Sequence, residues 1–248
     1  MIAPHMKKAV QTYGFACISA DYRLAPQVGV DDVLSDVLDC VEFIRTHLSD
    51  RLGQGVVDAS RLAVSGSSAG GYLALLAGLH LQPKPQVIAP IYPITDPLGT
   101  FFTKSQPFPI GSDSSEEDLA RMGPFLDTKS PVVANSSKTS SRHHMYAYML
   151  KTASLAHLWG IVPGDELAAA RWRISRVIEM GDFPPTYLVH GMSDTAVGVE
   201  QADEVAGAIL GGGNPVVYER VDGEDHGFDE AEDYENAAFY EFIMRYLD

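Results

Sequence analysis

Positive charge is scarce in this chain: 18 lysines and arginines stand against 33 aspartates and glutamates, a formal net charge of -15 over 248 residues. Such a surface repels phosphate backbones and anionic lipid headgroups, which excludes nucleic acid as a partner and favours uncharged or cationic small molecules. Cysteine is scarcer still. The 2 thiols, Cys17 in an apparent strand and Cys40 in an apparent helix, cannot form a secreted disulfide framework and lack metal-ligand spacing, so both are expected in the core. Long apolar runs are absent as well. No stretch reaches the roughly 18 uninterrupted apolar residues of a membrane span, and Met1-Ile-Ala-Pro-His-Met-Lys-Lys8 has no apolar signal core, so a cytoplasmic protein without a membrane span is expected. His143-His144 with His157 come nearest to a metal set, but no acidic or cysteine ligand stands at a suitable spacing, and neither metal nor cofactor is expected.

What is present is enough for one core: 46% of residues are hydrophobic and 21% charged. Gly14-Phe-Ala-Cys-Ile-Ser-Ala-Asp-Tyr22 is a short apolar run between glycine and a turn, and reads as a buried strand. Asp31 and Asp32 can cap a helix whose face is Val33, Val37, Val41, Ile44 and Leu48, ending at Gly53. Arg61 to Gly66 reads as a second strand and Ala69 to Leu81 as a buried helix. Further strands are expected at Gln86 to Tyr92, Thr186 to His190 and Val216 to Val221. Helices are expected from Val197 to Leu210, stopped by Gly211-Gly-Gly213, and from Asp229 to Leu247. Strand alternating with helix predicts an α/β fold, a mostly parallel sheet with helices on both faces, formed by residues 1–96 and 185–248. Residues 97–184 break the rhythm and predict a helical insertion. Its helices are expected after Ser114/Ser115, around Tyr146 to Trp159, and from Asp165 to Met180, with a Ser-rich stretch from Asn135 to Ser141.

Gly66-Ser67-Ser68-Ala69-Gly70 matches G-x-S-x-G between a strand and a buried helix, the setting in which the pattern marks an exposed nucleophile on a strained turn. Small residues are needed at the flanking glycines because side chains there would collide. A serine hydroxyl is a poor nucleophile at neutral pH, so it needs a base in reach and a carboxylate to orient that base. In a parallel sheet both partners come from loops after later strands, acid first. Gly191-Met-Ser-Asp194 follows one such strand, and Asp222-Gly-Glu-Asp-His226-Gly-Phe228 follows the next. The assignment is therefore Ser68 as nucleophile, Asp194 as orienting acid and His226 as general base, with the Ala69 N–H as an oxyanion donor. His190, just before its loop, is expected to pack or hydrogen-bond at the strand end.

Together with Asp21-Tyr-Arg-Leu-Ala-Pro26, Gly66-Ser-Ser-Ala-Gly-Gly71, Gly191-Met-Ser-Asp194 and His226-Gly-Phe228, the chain resembles the hormone-sensitive-lipase-like branch of the α/β-hydrolases. That resemblance implies cofactor-free hydrolysis of small carboxylic esters beneath a helical cap, which residues 97–184 would supply; a homodimer is compatible with it. It also implies a His-Gly-Gly loop upstream of Asp21 whose backbone completes the oxyanion hole, together with a strand lying between those ending at Tyr22 and Gly66. The chain begins too late to contain either. Three arrangements answer that gap: a shortened form of a longer protein with Met1 internal to it, a shift of the Gly14 strand into the vacant place, or another chain filling it. The function expected is a serine ester hydrolase acting on a small or medium uncharged ester through an acyl-enzyme. The alternative is a non-catalytic small-molecule-binding relative that lost turnover with the oxyanion loop.

Overall fold

Among the described residues four short strands carry the architecture, and the two central ones consist of residues that suit a sheet covered on both faces. The computed structural model describes residues 2–134, 140–162, 164–178 and 181–248. Helix α1 (Pro4–Tyr13) and the long α2 (Val30–Leu52) precede β1 (Ala63–Ser67), α3 (Ala69–His80) and β2 (Val87–Ile91). Then come α4 (Glu116–Ala120), α5 (Gly123–Leu126), a 3-10 turn at Ser141–His144, α6 (Met145–Thr152), α7 (Leu155–Leu158), α8 (Glu166–Ala170) and α9 (Ile174–Ile178). Strand β3 (Thr186–Gly191), α10 (Glu200–Gly211), β4 (Val216–Val221) and α11 (Ala237–Leu247) complete the order. The strands pair in the order β1-β2-β3-β4, all parallel.

Both central strands, β2 and β3, are buried at every position, as continuous apolar runs between helix layers must be. Alternate residues of β2 serve opposite layers. Val87, Ala89 and Ile91 pack with Phe239, Phe242 and Ile243 of α11 and with Ala9 of α1, whereas Ile88 joins α2, α3, α9 and α10. Helix α3 is buried from Gly71 to Gly78 because its sequence, AGGYLALLAGLH, offers no charged face. Helix α2 buries Val30, Leu34, Val37 and Val41, a stripe turned slightly from the expected one; Gly29 is its N-cap, and Asp31 and Asp32 lie in the first turn. There they face the positive end of the helix dipole rather than capping it.

The expected first strand does not form. Gly14 to Tyr22 has no regular secondary structure and lies outside the sheet, and β1 is an edge strand. An apolar run is a strand only if a neighbour accepts its ladder, and this one is instead pinned at its ends. Tyr13 stacks on Tyr240 of α11 with ring centroids 5.1 Å apart, and Leu24 N–H donates to the Val133 carbonyl at 2.9 Å. Cys17 is consequently exposed and Cys40 half-buried, so neither is the core thiol expected. The shift of this run into a vacant sheet position is thereby overturned.

Between β2 and β3 the described residues form helices and no strand, but shorter ones than their patterns predict. Tyr146 to Trp159 is split at Ala153, which adopts a left-handed φ of 53° between α6 and α7. The Asp165 to Met180 pattern is split into α8 and α9, and its last residues, Glu179 and Met180, lie outside the described residues, as do Asn135 to Thr139 of the Ser-rich stretch and Met1. The closing pattern from Asp229 becomes a 3-10 turn at Phe228–Glu230 followed, after a break, by α11, where Asn236 caps the helix by accepting from Phe239 N–H. Helix α1 is an addition to the expected elements, opened by Pro4 at its first position and closed by Gly14 at a φ of 72°.

Candidate active site

Ser68 occupies the sharp turn from β1 into α3 with φ 57° and ψ -120°, a conformation that costs a non-glycine residue energy and survives only where its surroundings fix it. Three backbone hydrogen bonds do so. Ser68 N–H donates to the Ile91 carbonyl at 3.0 Å, and its own carbonyl accepts from Tyr72 and Ile94 N–H at 3.1 and 3.3 Å. A Cβ on Gly66 would lie 2.4 Å from the Gly70 oxygen, and one on Gly71 would lie 2.8 Å from Cβ of Pro93. A Cβ on Gly70 would meet nothing. The steric demand thus falls on Gly66 and Gly71, not on Gly70 as the pattern suggests. Ala69 is the first residue of α3, so its N–H has no partner within the helix and stands at the positive end of the helix dipole.

Asp194 follows β3 and is fully engaged. Its Oδ1 accepts from Ala196 and Val197 N–H at 2.9 and 2.7 Å, and its Oδ2 accepts from His226 Nδ1 at 2.8 Å. His190 Nε2 is a further 3.2 Å neighbour of Oδ2 and lies 2.9 Å from the Val197 carbonyl, so His190 packs and hydrogen-bonds at the strand end as expected. Burial alone would raise the carboxyl pKa, but the hydrogen bonds from His190 and His226 outweigh it and hold the group well below the usual carboxylate range. The turn-forming role and the histidine-orienting role fall on different oxygens of one side chain.

His226 lies on the loop after β4, with its side chain 23% exposed and Nδ1 committed to Asp194. That bond places the proton on Nδ1 and leaves Nε2 as the free, basic nitrogen. Asp225 clamps the two loops together by accepting from Thr195 N–H at 2.8 Å and from His226 N–H at 2.7 Å. A Cβ on Gly191 would fall 2.4 Å from the Glu224 oxygen, which shows how closely these loops approach.

Two neighbours escaped the sequence reading. Tyr92, just past β2 with φ 34°, packs its ring on His226 at a centroid distance of 4.4 Å, and its hydroxyl donates to Asp229, a carboxylate only 1% exposed. Burial and that carboxylate push the Tyr92 phenol strongly up, so it stays protonated. Buried His5 joins the same cluster, with Nε2 3.5 Å from Asp229 Oδ2 and Nδ1 sharing a 2.7 Å hydrogen bond with the Tyr240 hydroxyl. In sequence, only the position of Tyr92 at a strand end and of Asp229 shortly after His226 hinted at this.

A cavity of about 260 Å³ reaches the elbow through Ala69 and Tyr72 and is walled by Tyr22, Arg142, Tyr146 and Trp159. The Asp-Tyr-Arg-Leu-Ala-Pro run supplies part of that wall. Its Arg23 is anchored to Asp36 of α2, donating its backbone N–H to Oδ2 at 2.8 Å and its Nε to Oδ1 and Oδ2 at 3.0 and 2.9 Å, while Arg142 donates to the Ala25 carbonyl. From the other side Tyr146 donates to the Ala196 carbonyl at 2.7 Å, tying α6 to the Asp194 loop.

Ser68, Asp194 and His226 thus stand at the C-terminal edge of one parallel sheet, with Asp194 and His226 directly bonded. A family model described as alpha/beta hydrolase fold matches residues 3–230. Among curated proteins, the chain is 25% identical to the probable carboxylic ester hydrolase LipM of Mycobacterium tuberculosis, over 87% of this chain and 42% of that protein. It is 28% identical to the non-reducing polyketide synthase ausA of Aspergillus calidoustus, over 92% of this chain but 11% of the synthase. The chain therefore spans less than half the length of these relatives. Among solved structures, carboxyl esterase 2 of Tuber melanosporum superposes with a TM-score of 0.63 at 20% identity, covering 98% of this chain and 72% of that one. An alpha/beta hydrolase superfamily protein of Enterococcus faecalis gives the same TM-score of 0.63 at 20% identity, over 91% and 74% of the two chains.

Proposed function

The chain belongs to the alpha/beta hydrolase family, and from that premise we propose that it is a serine carboxylic-ester hydrolase working through an acyl-enzyme. The observation that carries this reading is the pairing of a left-handed Ser68 heading a buried helix with a His226 whose Nδ1 is fixed by Asp194 at 2.8 Å. Ser68 attacks the ester carbonyl, and His226 Nε2 takes its proton and returns it to the leaving alcohol. Water, activated by the same nitrogen, then releases the acid. The Ala69 N–H stabilises the oxyanion; each such donor is worth about 2.7–4 kcal/mol in the transition state.

Residues 97–184 act as the cap in this reading. Their contribution to the cavity is mostly apolar and aromatic, through Met145, Tyr146, Met149 and Trp159, with Arg142 and His143 as its polar members, which suits a small or medium uncharged acyl or aryl group. The likeness to esterases supports the reaction class, and the acidic surface of the molecule disfavours anionic esters.

The test is burst and steady-state hydrolysis of short p-nitrophenyl esters by the purified chain. Ser68→Ala is expected to lower kcat by about 10^4-fold or more while the circular dichroism spectrum is unchanged. If the unmodified chain binds such an ester in the cavity yet shows neither burst nor turnover, the non-catalytic binding reading replaces this one.

A further inference from the structure

Away from Ser68, on the same helical segment, the fold assembles a set of donors that the sequence spacing does not reveal. Asp113 stands 30 residues before His143 in the chain, yet its carboxylate oxygens lie 3.1 and 3.0 Å from His143 Nε2. His144 Nδ1 lies 3.9 Å from Asp113 Oδ1, and the candidate ligand atoms of the three residues all fall within 4.8 Å of one another.

In His143 the opposite nitrogen is already hydrogen-bonded to an oxygen. His143 Nδ1 donates to the Ser140 carbonyl at 2.6 Å, which leaves Nε2 as the nitrogen turned to the Asp113 carboxylate. His144 Nε2 lies 3.9 Å from Asp118 Oδ1, and its Nδ1 shares a 2.8 Å hydrogen bond with the Ser114 hydroxyl, which a metal ion on Nδ1 has to displace. An oxygen partner on the far nitrogen is the arrangement that fixes tautomer and orientation in histidine metal ligands. The two rings lie together, centroids 3.7 Å apart, and are 27% and 10% exposed. Nε2 and the carboxylate need positive charge between them, which a proton on the imidazole supplies in the absence of metal and a bound cation can replace.

We propose that Asp113, His143 and His144 bind one borderline divalent transition-metal cation of the Zn2+ type, with water completing the coordination. Two imidazoles and one carboxylate suit such an ion, whereas Mg2+ and Ca2+ require mainly oxygen ligands. Metal bonds of about 2.0–2.2 Å bring neighbouring donors to roughly 3.5 Å, so the 3.0 Å approach of Asp113 to His143 has to open while the 3.9 Å approach of Asp113 to His144 closes, each by about half an ångström. Asp113, 73% exposed on its loop, can make that adjustment. The bound ion would tie the loop before α4 to the 3-10 turn whose Arg142 and His143 wall the cavity, and so fix that wall. This site does not depend on the reading of Ser68.

The experiment is calorimetric titration of the chelator-treated, tag-free full chain with Zn2+, repeated with Co2+ to read visible ligand-field bands. One ion per chain is expected, unaffected by excess Mg2+ or Ca2+ and unchanged in His157→Gln, an exposed histidine of α7. Asp113→Asn and His143→Gln are each expected to weaken binding by at least about tenfold, the lower end of what even outer-sphere partners of a metal contribute. Circular dichroism of each variant separates this from misfolding. Absence of saturable Zn2+ binding overturns the proposal, as does binding undiminished in both variants, which would mean adventitious sites only, or displacement by Ca2+.

Discussion

At the scale of single residues, the proposed mechanism depends most on Asp194. A carboxylate with two backbone N–H donors on one oxygen and a histidine on the other cannot rotate without leaving buried donors unpaired, so it holds His226 in one tautomer. Asp194→Asn keeps the shape but presents the wrong donor-acceptor pattern to the imidazole, and kcat is expected to fall by about 10^4-fold. The same residue sets a pH dependence of stability. Its folded-state pKa is depressed, so its contribution is fully present above the ordinary value of about 3.9 and is lost as pH falls through the lower folded value. Urea denaturation should therefore find the wild type more stable than Asp194→Asn at pH 7, with the gap closing as the pH is lowered below 4.

At the scale of elements, the strand-turn-helix around Ser68 depends on which glycine meets what. Gly66→Ala places a methyl 2.4 Å from a backbone oxygen that cannot move without unwinding the first turn of α3. A loss of about 3 kcal/mol or more in urea denaturation is expected, as for overpacking against backbone. Gly70→Ala meets nothing and adds a good helix former inside α3, so stability should hold or rise by up to about 1 kcal/mol. Equal losses from the two substitutions would show that the turn is not held as described. The elements that departed from expectation did so for local reasons of the same kind. Gly14 to Tyr22 has strand composition but no strand beside it, and Ala153 breaks one amphipathic pattern into α6 and α7 at a left-handed residue that the sequence does not mark with glycine.

At the scale of the whole molecule, the helical segment is joined to the sheet by a polar cluster as well as by apolar packing. Asp96, 3% exposed at its side chain, accepts from Arg173 Nε at 2.8 Å, and Gln201 Oε1 of α10 accepts from Thr95 and Asp96 N–H at 2.9 and 2.8 Å. Asp96→Ala leaves the Arg173 guanidinium without its partner. Because Arg173 keeps 24% of its surface in water, the expected cost is near the lower end of the range for broken buried pairs, about 3 kcal/mol by urea denaturation. The 260 Å³ cavity should also lose definition, read as weaker binding of an apolar probe. No described helix is long and apolar enough to cross a membrane.

The sequence by itself determined the parallel α/β alternation, the elbow at Ser68, and the chain order of Asp194 and His226, because these rest on local patterns: apolar periodicity, glycines beside a serine, and loops after strands. It could not determine whether Gly14 to Tyr22 would find a strand to pair with, since a ladder depends on a neighbour rather than on composition. Nor could it show Tyr92 and Asp229 behind His226, or Asp113 beside His143 and His144. Those groups are remote or unremarkable along the chain, and only tertiary packing decides which side chains share the same few ångströms.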